Sequence, residues 1–416
     1  MVIARTDNER REPLLSPIVK RLLLAVIFAG LAGSVPEVIF NFYVQSLGYD
    51  NAVAGQLASV VRFAGFAFGV PIGLMVDRFG GIRAIQLGAT LNVIVWLVML
   101  QTTDINTMRA FYLLSGVLAT SVMVGSVPTL VRVVSLEQRA QILGINFSIF
   151  MIMGFVGALV GGFLPSIVAS IQGIDATSVA AYRAVLYVPV ICSTAVVVVL
   201  IGLHARITQH NGQNKPAEVT GQPTDSVKIP FIMLLTLGNF MMGFAGGILH
   251  PFMNLMLRQR FSLEDGMVGV LIAVLSLLLG LGGLFGRPIA NRFGARKGII
   301  ILTLLAAITG ACTLSDMLWL SFTGYAISTF LIGMAFPFFD LLLIASVAPQ
   351  QRGITKSISS MQWSLGWSLA ALYSGYLQVE YGFVVPILIF AIGQAVAAVI
   401  VLFLPYRDQP STRALA

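Results

Sequence analysis

Charge is what this sequence has least of. Only 10% of its 416 residues are Asp, Glu, Lys or Arg, against about 25% in soluble proteins. Hydrophobic residues make up 57%. So few charges cannot cover a water-facing surface, which excludes a soluble globular protein and leaves a chain whose solvent is the bilayer. Cysteine is nearly absent: Cys192 and Cys312 lie in apolar runs, without metal-ligand or disulfide spacing, and read as small buried hydrophobes. A Walker A sequence is missing, as are a His-Glu-x-x-His pair and a serine elbow in a workable setting, so ATP-driven pumping and hydrolytic chemistry are not expected. The run "GLGGLFG" (Gly280–Gly286) is close to a dinucleotide loop, but Phe285 stands where glycine is required and the surroundings are apolar. No cofactor, metal ion or catalytic residue is expected, and the chain does not read as an enzyme.

What the sequence does have is length of apolar run. A helix needs about 20 residues to cross about 30 Å of hydrocarbon. Twelve such spans fall near 22–45, 54–76, 84–102, 109–133, 141–170, 182–203, 231–257, 266–289, 298–315, 317–347, 354–378 and 384–405. The runs are continuous rather than alternating, which selects helices over a barrel. The first is too long for a signal-peptide core and reads as retained. The one long polar connection, residues 204–228, is rich in Gly, Pro, Gln, Asn and Thr and reads as a solvated linker. The expected organisation is an N-terminal tail (1–21), a six-helix bundle (22–203), the linker (204–228), a second six-helix bundle (229–405) and a C-terminal tail (406–416). With both termini in the cytoplasm, most of the 25 Lys and Arg residues fall on that side, as the positive-inside rule requires. The net charge of +8 is this topology written in loops and not a nucleic-acid surface. A multi-pass protein of a prokaryotic cytoplasmic membrane is expected.

The chain repeats itself at an offset of 213–214 residues. "GLMVDRFGGIR" (Gly73–Arg83) corresponds to "GRPIANRFGARK" (Gly286–Lys297), and "SLEQRA" (Ser135–Ala140) to "APQQRG" (Ala348–Gly353). "FNFYVQSLGYDNAVAG" (Phe40–Gly55) corresponds to "MNLMLRQRFSLEDGMVG" (Met253–Gly269), pairing Asn41 with Asn254; "GALVGG" in span 5 corresponds to "AALYSG" in span 11. Parallel copies imply a pseudo-twofold axis along the membrane normal and a site between them near the midplane. The expected fold class is an all-α polytopic membrane protein of two related six-helix bundles.

Gly73-x-x-x-Asp77-Arg78-x-Gly80 is similar to the signature loop of the major facilitator superfamily (MFS), which the sequence resembles over essentially its whole length. The first copy departs after Gly80, where Gly81 and Ile82 replace basic residues. The second has Arg287 for the glycine and Asn291 for the acid, but keeps Arg292, Gly294, Arg296 and Lys297. The resemblance implies the MFS fold, a monomer, and a loop that latches the two halves when the inside is closed, Asp77 facing the start of span 11 near Gly353–Ser357. A carboxylate there would meet the positive end of a helix dipole; the plainer reading is a topogenic turn. Gly154, Gly157, Gly161 and Gly162 in span 5 resemble the glycine-proline motif of drug/proton antiporters, with Ala158 at the proline and Tyr112 near the arginine expected in span 4. Close helix packing through small residues explains the same glycines.

Four ionisable residues fall inside spans: Glu37, Arg62, His250 and Asp340. Each costs about 2.5–3.5 kcal/mol to insert, so such groups normally face the interior and act. Glu37 precedes Gln45 by about 12 Å of helix and Arg62 follows Asn51 by about 16 Å, which sets them level on neighbouring helices. An ion pair is expected. His250 occupies the position equivalent to Glu37 in the second copy. Asp340, about 18 Å before Arg352, is expected near the midplane. Either Glu37 carries or gates a coupling proton, with Arg62 tuning it, His250 as its partner across the cavity and Asp340 as a second carrier, or these groups form a static pair and a packed histidine. Pro36 and Pro251 can kink spans 1 and 7, and "GNFMMGFAGG" (Gly238–Gly247) can bend or unwind. Trp363 and Trp367 share a face of span 11 at i, i+4; with Gln362, Asn41 and Asn254 they are the substrate-cavity candidates, packing being the alternative. The leading expectation is proton-coupled export of small amphipathic compounds by alternating access. Uptake by symport and a non-cycling sensor or lipid-handling role are the alternatives. The expected partners are a small-molecule substrate, protons and membrane lipid.

Overall fold

The computed structural model describes residues 14–203, 229–286, 289 and 292–406. The 204–228 linker and Asn291 therefore lie outside the described residues. Among the described residues the regular elements are helices: α1 (Pro17–Ser46), α2 (Asn51–Phe79), α3 (Gly81–Gln101), α4 (Ile105–Arg132), α5 (Arg139–Gln172), α6 (Val179–Leu200), α7 (Leu237–Phe261), α8 (Asp265–Phe285), α9 (Ala295–Leu314), α10 (Leu318–Ser346), α11 (Arg352–Tyr381) and α12 (Val384–Phe403). Eleven of these are long and apolar enough to cross a membrane. The exception is α11, whose first half reads "RGITKSISSMQWS". A 30-residue helix this polar is tolerated in a bundle only where its polar face is turned from lipid.

Side-chain caps start several helices. Asp50 accepts from Val53 N–H at 3.0 Å and Asp104 from Thr107 N–H at 2.8 Å, satisfying donors that a helix start leaves orphaned. The Thr107 backbone and hydroxyl donors hold the Asp104 carboxyl below its usual range. Gly80 (φ 89°) and Gly294 (φ 78°) form the turns before α3 and α9. Only glycine adopts that conformation without strain, which is the physical content of the repeated loop glycine. Gly81 follows because a Cβ there would collide with the Thr129 hydroxyl and lie 2.8 Å from the Gly125 carbonyl of α4.

Helix neighbours obey one rule. In the first six, α1 packs on α5 and α6, α4 on α2 and α3, and α3 on α6. Adding six to each label gives the neighbours of the second six: α7 on α11 and α12, α10 on α8 and α9, α9 on α12. The sets meet along α2–α11 and α5–α8, two seams exchanged by the same rule, and α1 touches α7.

α1 is one continuous helix through Pro36, whereas α7 is interrupted by a 3-10 turn at His250–Phe252 beside Pro251. Three expectations are corrected. The glycines before that turn do not unwind; the helix is regular to Leu249, and a Cβ at Gly243 or Gly247 would strike the backbone of Trp363 or Trp367. They exist to let α7 approach α11. Cys192 is buried but Cys312 is exposed. Asp340 is not near the midplane: α10 ends at Ser346, so Asp340 is about 9 Å from its end. The intervening residues to Arg352 belong to a turn and add no depth.

Candidate substrate and coupling site

The two sets are locked together at the end that carries the α1–α2 and α7–α8 connections. Asn41 donates to Asn254 Oδ1 (3.0 Å) and to the Pro251 carbonyl (2.7 Å); Asn254 donates back to the Val38 carbonyl (2.6 Å). Asn51 bridges to Gln259 at 3.2 Å and to Gln378 at 3.1 Å. Two glycine crossings set the approach. A Cβ on Gly55 would lie 2.8 Å from Gly375 Cα, and one on Gly269 would lie 2.7 Å from Gly162 Cα. Gly55 and Gly269 are repeat equivalents, as are Gly162 and Gly375, so the same crossing is made twice. Asn41 and Asn254 are buried at 7% and 1% exposure. They belong to this lock and not to a cavity wall, which corrects the expectation for both.

Towards the other end the α2–α11 seam opens. A Cβ on Gly65 would still meet Ser364 Oγ at 3.4 Å, but Gly69, Gly73 and Gly353 face open space within 4 Å. The α5–α8 seam stays closed further, with Ser276 against Gly154 and Phe147 approaching Gly283. The bundle is thus tight at one end and gapes at the other.

Where tight gives way to open lies a cluster drawn from both sets. Arg62 on α2 pairs with Glu37 on α1 at 3.5 Å. Its guanidinium also lies 5.0 Å from the Trp367 ring centroid and 5.6 Å from that of Trp363, both on α11. The two indoles are 4.8 Å apart. Beyond them, His250 on α7 meets Trp367 edge-on at 5.6 Å and shares a 3.4 Å contact with the Tyr325 hydroxyl of α10. Glu37 is 65% exposed and Arg62 38% exposed. Because Arg62 is seated on the opposite set, that exposure is to the space between the sets. A carboxylate, a planar cation and two aromatic faces converge there, with most guanidinium N–H donors free to meet a ligand. The expected Glu37–Arg62 pair is present, and the tryptophans join it instead of standing apart. Gln362 is elsewhere: it donates to the Met233 carbonyl at 3.0 Å, its Oε1 buried with no partner among the described residues.

The signature loops lie at the gaping end. Asp77 and Arg78 are exposed, Arg78 stacking on its neighbour Phe79, and Arg292 likewise on Phe293. Arg296 is committed elsewhere, donating to the carbonyls of Val401, Leu402 and Leu404 at the end of α12, where a cation complements the helix dipole. Asp340 pairs with Lys356 of α11 at 2.5 Å, both about half exposed near the same mouth. Lys356 was not legible as a partner, since it reads as a loop charge at the start of a span. Also missed was a second cross-set network at the tight end: Tyr182 of α6 donates to Asp265 at 2.5 Å and accepts from Arg258 at 3.0 Å.

The Major Facilitator Superfamily model matches residues 22–233 and 235–416. Multidrug resistance protein MdtH of Salmonella newport (strain SL254) is 29% identical over 160 residues, covering 36% of this chain and 36% of that protein; MdtH of Salmonella agona (strain SL483) matches equally. The alignment thus spans about a third of those relatives. Among solved structures, a bacterial homologue of the human lysosomal transporter Spinster, inward-facing and unoccupied, superposes with a TM-score of 0.69 at 17% identity, covering 94% of this chain and 95% of that one. The nucleoside transporter NupG gives 0.66 at 17% identity, covering 94% and 100%.

Proposed function

We propose that this chain, which belongs to the Major Facilitator Superfamily, is a secondary active transporter that exports small amphipathic compounds in exchange for protons. It acts as a monomer with both termini in the cytoplasm. The gaping end is then cytoplasmic, the locked end external, and the structure is the inward-open state of an alternating-access cycle. The carrying observation is the Glu37–Arg62–Trp363–Trp367–His250 cluster, built from both sets at the depth where the seam opens.

A substrate entering from the cytoplasm meets an apolar cleft and stacks on the indoles. Glu37, held by one long contact to Arg62, is free to exchange that contact for a proton or for a donor on the substrate. Closing the cytoplasmic end brings Asp77 to the start of α11; parting the Asn41–Asn254 lock opens the other side. The partial similarity to MdtH, a protein whose name is that of a multidrug resistance protein, supports export over uptake.

The test is substrate-driven proton flux in proteoliposomes. Wild-type protein moves protons opposite to substrate, and Glu37→Gln abolishes that coupling while still binding substrate. Parallel flux would make the protein an uptake symporter. Full coupling in both Glu37→Gln and Asp340→Asn would remove the proposed proton carriers.

A further inference from the structure

The tight end holds a carboxylate that the central site does not use. Asp265 is the first residue of α8 and is 8% exposed. Its Oδ2 accepts from the Tyr182 hydroxyl, and its Oδ1 lies 3.6 Å from Arg258 Nη1. Arg258 also donates to the Tyr182 oxygen at 3.0 Å, and its guanidinium sits 4.7 Å from the ring centroid of Phe42 on α1. Tyr182 and Phe42 come from the first six helices, Asp265 and Arg258 from the second. The network therefore spans the boundary that must part for this end to open. It also adjoins the glycine crossing, because a Cβ on Gly162 would lie 2.9 Å from the Asp265 carbonyl.

We propose that Asp265 is a further proton-binding site, separate from Glu37 and Asp340, which takes up a proton from the locked side and thereby releases the lock. This rests on the reading of the chain as a proton-coupled transporter with that end external. The argument is a count of protons and lone pairs. As drawn, the Tyr182 hydroxyl spends its one proton on Asp265 and accepts from Arg258, and an ionised carboxylate can accept from both partners. A proton on Oδ2 turns that acceptor into a donor, so that Tyr182 receives two hydrogen bonds and has no acceptor for its own proton. A proton on Oδ1 leaves Oδ2 to accept from Tyr182 but directs a donor at Arg258, which has no acceptor to offer it. Either way Arg258 loses its counter-charge, so the closed network favours the ionised form, whereas the hydrated open state accommodates both. Proton binding therefore favours opening.

Among the described residues the charged and titratable groups around Asp265 are few. Arg258 comes from α7 and Tyr182 from α6, and Glu264 adjoins it in the chain. α5 presents the Gly162 backbone and α1 the Phe42 ring, neither of which titrates. Arg258 is also felt by Asp175 in the α5–α6 connection. Glu37 and His250 belong to the central cluster and Asp340 lies with Lys356 near the other mouth, so Asp265 can be separated from them by mutation.

The experiment is spin-label distance measurement between Thr103 and Met317, in the loops that cap the two sets at this end, with the full chain in lipid nanodiscs. Lowering the pH from about 8 to about 5 shifts wild-type protein towards longer distances. Asp265→Asn, which mimics the protonated acid, gives long distances at both pH values and no pH response. Asp265→Glu restores the response, which separates titration from loss of packing. Glu37→Gln keeps it. A wild-type pH response in Asp265→Asn overturns the proposal, as does a wild-type protein with no response. A response lost in Glu37→Gln but kept in Asp265→Asn also overturns it while leaving the central reading intact. Failure of flux coupling in wild-type liposomes would instead strike the transporter reading itself.

Discussion

Adding one methyl group at a glycine crossing should push the transporter open at its locked end. In Gly55→Ala the new Cβ falls 2.8 Å from both the Ala371 carbonyl and Gly375 Cα. These are backbone atoms, so no side chain can swing aside. Reaching ordinary contact requires the α2–α11 axes to part by about 0.6 Å or more. Overpacking of that kind costs about 1–3 kcal/mol. Alanine also improves helix propensity over glycine by about 1 kcal/mol, but it does so in the open and closed states alike and cancels from the equilibrium between them. The net effect is a shift of about 5- to 150-fold towards the state in which this end is open. Gly375→Ala acts from the other side of the same contact and should give a similar shift. The readout is the Thr103–Met317 distance distribution at constant pH. Because the penalty is steric, the shift should not depend on substrate or proton gradient. Unchanged distributions in both variants, in protein that melts normally, would refute the idea that these crossings set the closed geometry.

Arg62→Lys keeps the charge but loses the planar face that stacks on two indoles, so substrate transport should fall by about 2- to 30-fold, the equivalent of about 0.5–2 kcal/mol of cation–π interaction; tryptophan emission should change in parallel. Asn41→Ala strips the Pro251 carbonyl of its donor, and an Asn41→Ala/Asn254→Ala cycle read by thermal unfolding should return a coupling energy of about 0.5–3 kcal/mol. Asp340→Asn should change stability by less than about 1 kcal/mol, since the pair with Lys356 is about half exposed and screened; a much larger loss in denaturant unfolding would mean the pair is structural.

The parts of this molecule that sequence made legible are those governed by local counting. Helix α2 is found because an apolar run of sufficient length has few other fates in lipid. The Glu37–Arg62 pair is found because both positions can be counted from the same end of adjacent helices. Counting fails where a turn intervenes. Asp340 was set too deep because the residues after Ser346 leave the helix axis. It fails again at helix ends, where Lys356, Arg258 and Asp265 look like ordinary topogenic charges; their partners lie on other helices, at separations no period encodes. The roles of glycine were ambiguous for a related reason. A run such as Gly243–Gly247 is compatible with bending or with close approach, and only the position of Trp363 and Trp367 on α11 decides for approach.

The repeat also explains why directionality needs sequence divergence. Asn41 and Asn254 are equivalent positions, 213 residues apart, and they are hydrogen-bonded to each other. Equivalent atoms can touch only where the pseudo-twofold axis passes between them, so this pair marks the axis at the locked end. One turn further in, the equivalent positions hold Glu37 and His250. Had that turn stayed identical, each set would present the same group to the axis, and charge there could not distinguish one set from the other. An acid on one side and an imidazole on the other break that equality. Arg62 then adds its charge to the acid's side only, since its equivalent in the second set is the uncharged Ser276. In the proposed exchange cycle the paired asparagines give both sets the same grip on the axis, and the unlike residues beneath them set the central coupling proton on the acid's side.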